Sequence, residues 1–125
     1  MKPLPGKVQA IAIIWIIDGV LSITWGAGLV VAALASVIGI LCLPVTAYPL
    51  VLGIFELVYG IKLLQQPNKL TKPPTFIAIM EIIDILAGDV LGLAAGIATL
   101  VLLNDPEVQA YFSQSGEMPP SQPMV

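Results

Sequence analysis

The chain has 125 residues, 58% of them hydrophobic and only 10% charged, with a mean hydropathy of +0.98. Soluble domains carry about 25% charged residues, so this composition excludes an ordinary soluble fold. The apolar residues fall in long runs, which indicates an integral membrane protein built as one domain.

His and Arg are absent, which removes the commonest general base and metal ligand and the usual bidentate phosphate reader. The five Lys are split between two loops without interleaved aromatics, so nucleic-acid binding is not expected. The formal charge of −3 overstates the acidity, because five of the eight acids lie inside hydrophobic stretches. With those five protonated, five Lys less three acids leaves +2. The single Cys, Cys42, excludes an intrachain disulfide.

Residues 1–7 form a short basic terminus with Lys2 and Lys7. Ala33-Leu34-Ala35 before Ser36 imitates a signal-peptide cleavage site, but the preceding apolar region is too long and holds Asp18. Val8 to Leu43 is apolar, with Asp18, Ser22, Trp25, Leu29, Ala33 and Ser36 on one helical face. That continuity favours one helix of about 30 residues, roughly 45 Å long, which must tilt or protrude. Two short helices broken around Gly26-Ala27-Gly28 are the alternative.

Pro44 to Pro49 reads as an uncharged turn, and Leu50 to Leu64 continues helically, with Pro49, Gly53, Glu56 and Gly60 along one side. Tyr48 and Tyr59 suit the two membrane interfaces. Gln65 to Pro74 is a loop, since Pro67, Pro73 and Pro74 break helix and its Lys need water. Phe76 to Leu103 is long enough for a third span. Glu81, Asp84, Gly88, Gly92, Gly96 and Thr99 share one face of it, with Asp89 at the edge. Asn104-Asp105-Pro106-Glu107 is a strong helix start. The helix that follows is short, with Val108, Tyr111 and Phe112 resting on the interface and a polar tail from Ser113.

The expected fold is therefore all-α and membrane-integral, with three long transmembrane helices and a short C-terminal interfacial helix. Residues 1–7 form the N-terminus, 8–103 the membrane domain and 104–125 the C-terminal segment. Three spans put all five Lys on one side, which predicts a cytoplasmic N-terminus and a C-terminus outside. Four spans, from splitting either long stretch, are the alternative. Splitting the third near Gly88-Asp89 leaves halves of about 15 residues, too short to span unless re-entrant.

The candidate site residues are the intramembrane carboxylates Asp18, Glu56, Glu81, Asp84 and Asp89. Counted from the basic ends, Asp18, Glu56 and Asp84 lie about 9 to 11 residues in, near the middle of a roughly 30 Å core. Gly53, Gly60, Gly88, Gly92 and Gly96 are the candidate helix-packing residues. The principal expectation is a structural or accessory membrane subunit that self-associates or docks on a larger complex through these small-residue and carboxyl-bearing seams. The alternative is a small oligomeric proton or cation channel using the midplane carboxylates. Glu81, Asp84 and Asp89 could offer oxygens to a divalent ion, but the side chains of a catalytic centre are missing. No enzyme activity, metal or cofactor is assigned. Cys42 lacks a basic partner and reads as an inert buried thiol, and Trp15 and Trp25 read as packing or interface residues.

Several segments carry a resemblance: Tyr48-Pro49 leading into Leu52-Gly53-Ile54-Phe55-Glu56, then Gly60-Ile61-Lys62-Leu63-Leu64, Ile83-Asp84 and Gly88-Asp89. The most distinctive is Leu102-Leu103-Asn104-Asp105-Pro106-Glu107-Val108 followed by Tyr111-Phe112. Over roughly its last two-thirds the chain resembles a group of small multi-pass bacterial membrane proteins. The resemblance implies a bacterial plasma membrane and carries no activity.

Overall fold

A computed structural model describes residues 4–65 and 74–116, and these are helical without any strand. The first apolar stretch forms one 29-residue helix, α1 (Gly6–Leu34). At helical rise it is about 43 Å long, more than the roughly 30 Å hydrocarbon core. Ser36 then caps a short α2 (Val37–Leu41), accepting from the Gly39 N–H at 2.9 Å. The segment expected to be a turn is largely helical. It forms α3 (Leu43–Thr46), with Pro44 in the first turn where its missing N–H is tolerated, and leads into α4 (Tyr48–Leu64).

Helices α1 and α4 pack antiparallel at close range. A Cβ on Gly19 would meet the Gly53 carbonyl oxygen at 2.8 Å, and one on Gly53 would meet the Gly19 carbonyl oxygen at 2.7 Å. Further along, a Cβ on Gly60 would meet the Ala12 carbonyl oxygen at 3.0 Å. Small residues that let backbones approach are the usual source of packing energy between membrane helices, where apolar burial contributes little. Helix α1 and the segment Leu43–Leu64 are each long and apolar enough to cross a membrane. Large residues such as Ile17, Val31, Val37, Ile38, Leu41 and Val101 stay exposed on the outside, as a lipid-facing surface requires.

The third stretch departs from the expected continuous helix. It divides into α5 (Thr75–Ile83), a 3-10 turn at Asp84–Ala87 and α6 (Val90–Leu103). Gly88 adopts φ 88°, the left-handed conformation that glycine enters without a Cβ penalty. The Gly88 N–H donates to the Ile85 carbonyl at 2.9 Å and the Asp89 N–H to the Asp84 carbonyl at 3.4 Å, the paired bonds of a Schellman helix stop. The Asp89 carboxylate then caps α6, accepting from the Gly92 N–H at 2.9 Å.

The chain therefore reverses at Gly88, and α6 returns along α5. A Cβ on Gly96 would meet the Ala78 carbonyl oxygen and the Glu81 Cβ, both at 2.9 Å. Each arm of this hairpin is about 21 Å long, about two-thirds of a hydrocarbon core.

The reversal has a consequence at the chain's ends. Lys7 Nζ pairs with Asp105 Oδ2 at 2.8 Å and with Glu107 Oε2 at 3.4 Å. The start of α1 and the end of α6 thus lie at the same end of the bundle, whereas a three-span chain would separate them. The expected helix after Asn104 is present as α7 (Pro106–Gly116), with Asp105 Oδ1 accepting from the Glu107 N–H at 3.0 Å. It turns 70° away from α6. Val108 and Phe112 do not rest outside the protein: both are buried in its core with Val8, Ile11, Leu63, Ile77 and Leu103. Cys42, expected to be buried, is exposed. The expected loop between Gln66 and Pro73, the polar tail beyond Gly116, and Lys2, Lys69 and Lys72 lie outside the described residues.

Candidate functional site

Four of the five sequence-selected carboxylates meet between the helices. Asp18 comes from α1, Glu56 from α4, Glu81 from α5 and Asp84 from the 3-10 turn, and their residues are 5%, 0%, 0% and 1% exposed. The packing that brings them together is written in the glycines. Gly19 puts the α4 backbone and the Glu56 Cβ against α1, and Gly96 puts α6 against the Glu81 Cβ. One oxygen each from Asp18, Glu56 and Glu81 lies within 4.8 Å of the other two. Glu56 feels the charge of Asp18, Glu81, Asp84 and Asp89 together.

Among the described residues no hydrogen bond is made to the buried oxygens of these groups. Both oxygens of Glu56, Glu81 and Asp84, and Oδ2 of Asp18, are buried without a hydrogen-bond partner. The same is true of Ser22 Oγ and Thr99 Oγ1, and of Trp15 Nε1, which lies beside Glu81 outside hydrogen-bonding geometry. Native interiors leave few polar groups unpaired, and an ionised carboxylate in hydrocarbon costs at least about 2.5 kcal/mol. The described lysines do not supply the missing charge. Lys7 is taken by Asp105 and Glu107, and Lys62 sits over the Tyr59 ring at 5.3 Å.

The fifth acid, Asp89, holds the hairpin tip instead. It is half-buried and lines a cavity of about 660 Å³ between Leu21, Trp25 and Gly28 of α1 and the tip residues Gly88 and Val90. Asp89 is also close enough to act electrostatically on Asp18. A second cavity, about 250 Å³, flanks the tip on the side of Pro44, Tyr48 and Leu86. The Tyr48 hydroxyl donates to the Met80 carbonyl at 3.0 Å and ties α4 to α5. On the opposite side of the acids the interior is closed by Ile11, Trp15, Ile77 and Leu103.

The five packing glycines serve the chain itself. Gly53 and Gly60 receive α1, Gly96 receives α5, Gly92 sits under the Asp89 carboxylate and Gly88 makes the turn. Trp15 and Ser22 join the site although the sequence singled out neither for it. Their positions three before and four after Asp18 put them on its helical face, and that spacing was the available signal. Asp105 lies apart, at the basic end. The hydrogen bond from Lys7 holds its carboxyl below the ordinary range, with further help from the Glu107 and Val108 N–H groups.

No family model matches the chain, and no curated protein and no solved structure is detectably similar to it.

Proposed function

We propose that this chain is a small integral membrane protein that admits protons or cations to an acidic centre near the bilayer midplane. The observation that carries this reading is the gathering of buried Asp18, Glu56 and Glu81, with Asp84 buried in the adjoining turn, where their buried oxygens have no hydrogen-bond partner and no basic side chain among the described residues accompanies them. Such a centre is electrically balanced only by protons or by cations from outside the protein. Intramembrane carboxylates of this kind mark ion and proton pathways. The broken third stretch supports the same reading, because interrupted helices at membrane depth persist where they are covered by protein or line a cavity. The cavity beside Asp89 gives a way in from the end that carries α2 and α3.

In this reading α1 and α4 span the bilayer and α5–α6 is a re-entrant hairpin. The start of α1, the end of α4, the start of α5 and α7 then share one side, which the Lys distribution makes cytoplasmic in a bacterial plasma membrane. The contact between Lys7 and Asp105 supports this topology over one with the C-terminus outside. The second reading, a structural or accessory subunit that self-associates or docks on a larger complex, is favoured by the exposed apolar face of α1 around Trp25 and Val31. It draws no support from the glycine and carboxyl seams, which are closed inside one chain.

The test is flux into liposomes loaded with a pH-sensitive dye, under an imposed potential. The proposal expects proton or cation entry above protein-free vesicles and at least a tenfold loss in Glu56→Gln and Asp84→Asn. Entry absent in the parent chain, or unchanged in both folded variants, leaves the centre as an interhelical joint.

A further inference from the structure

The three closest carboxylates define more than a general acidity. Their oxygens come from three separate helices and lie within 4.8 Å of one another. A point equidistant from three oxygens that close is at most about 2.8 Å from each, near the roughly 2.3–2.6 Å at which calcium is held by oxygen. A small inward movement of the carboxylates would bring all three onto one ion.

The donor set is all oxygen, and the chain has no His. Cys42 is exposed, far along the chain in α3's cap. Oxygen-only sets suit hard cations.

A second observation is independent of the acids. Ser22 is fully buried, its hydroxyl has no partner, and it sits one turn beyond Asp18 on the same face of α1. A hydroxyl oxygen is a normal ligand for a hard cation, and this one has no hydrogen-bond partner among the described residues. Trp15, on the other side of Asp18, is fully buried beside Glu81. A divalent ion would also offset most of the charge of three ionised carboxylates, a task that no described lysine performs.

We propose that Asp18, Glu56 and Glu81, with Ser22 beside them, bind one hard divalent cation of the calcium, magnesium and manganese class. This rests on the reading of the buried acids as a cation-handling centre and names its ligand. Bound there, the ion would tie α1, α4 and α5 together.

The experiment uses the full chain in detergent, stripped of metal and titrated with Mn²⁺ followed by electron paramagnetic resonance and by thermal melting. The expected result is one saturable Mn²⁺ per chain, displaced by Ca²⁺ or Mg²⁺, with a rise in melting temperature. Affinity should fall at least tenfold in Glu56→Gln and in Glu81→Gln, and stay unchanged in Glu107→Gln. The parent titration decides the matter even if one variant does not fold. No saturable binding at millimolar Mn²⁺ overturns the site, as does binding that both folded Gln variants retain. Flux without Mn²⁺ binding would remove this site and keep the pathway. Binding without flux would keep the site and remove the pathway.

Discussion

The first and third apolar stretches are alike in composition, yet one is a straight span and the other folds back on itself. The first carries one acid, Asp18, and the third carries three, and both hold several glycines. In α1 the glycines at 19 and 26 face α4 over the middle of the helix, and the partner's backbone fills the space a side chain would take. Nothing in α1 offers a stop until Ala35 and Ser36. In the third stretch, Gly88 is followed directly by Asp89, a left-handed helix end followed by an N-cap. The comparison teaches that a glycine in a membrane helix has two unrelated uses. Which one applies depends on whether a partner backbone or a capping side chain stands next to it.

The largest effect should come from blocking the α1–α4 approach. Gly53→Leu puts a side chain against the Gly19 carbonyl and the Ile23 N–H, at 2.7 and 2.8 Å from the first added carbon. Backbone cannot move aside as a side chain can, so a loss of about 3 kcal/mol is expected, read by thermal melting in detergent. Gly28→Ala on the same helix meets open space and should leave melting unchanged or raise it slightly, since Ala is the better helix former. Equal effects from the two would show that close packing does not hold α1 against α4.

A smaller effect should follow at the hairpin tip. Gly88→Val has room for its side chain but not for its φ of 88°. The strain should cost about 1–2 kcal/mol, and Gly88→Asn should recover much of it because Asn tolerates that conformation. Identical melting for Gly88, Val and Asn would mean that the turn is not where the third stretch reverses.

The smallest effect concerns the contact between the two ends. Asp105 has its folded pKa lowered by Lys7. Its contribution to holding α7 is therefore present above the unfolded carboxyl value of about 3.9 and is lost as pH falls through the lower folded value. Amide-exchange protection of α7 should decline only in that acidic window. Asp105→Asn, at an exposed pair, should remove the decline with little change in melting. A decline centred near neutral pH would assign the effect to other groups.

Much of this was legible in the sequence because it depends on periodicity. The apolar runs and the Asp105-Pro106-Glu107 helix start follow from spacing along one helix. What was not legible depends on a choice between two helical faces or two local conformations. The i, i+4 spacing of Gly88, Gly92 and Gly96 fits a packing ladder as well as it fits a stop, a capped turn and one packing contact. The Gly-Asp order at 88–89 was the signal that distinguishes them. Val108 and Phe112 have the spacing of an interfacial helix, and only the return of α6 to the start of α1 gives them a core to enter. The trio Asp18, Glu56 and Glu81, in place of Asp84 with its sequence neighbours, is set by how three helices rotate about their axes.

The central claim is that the third stretch enters and leaves the membrane by the same face. In a Cys42→Ser background, single cysteines at Gly6 and at Gln109, both exposed positions, can be labelled in intact and permeabilised cells with a membrane-impermeant maleimide. The account predicts that the two sites behave alike, both becoming reactive only under the same condition. Labelling of one in intact cells and of the other only after permeabilisation would contradict it and restore three full spans.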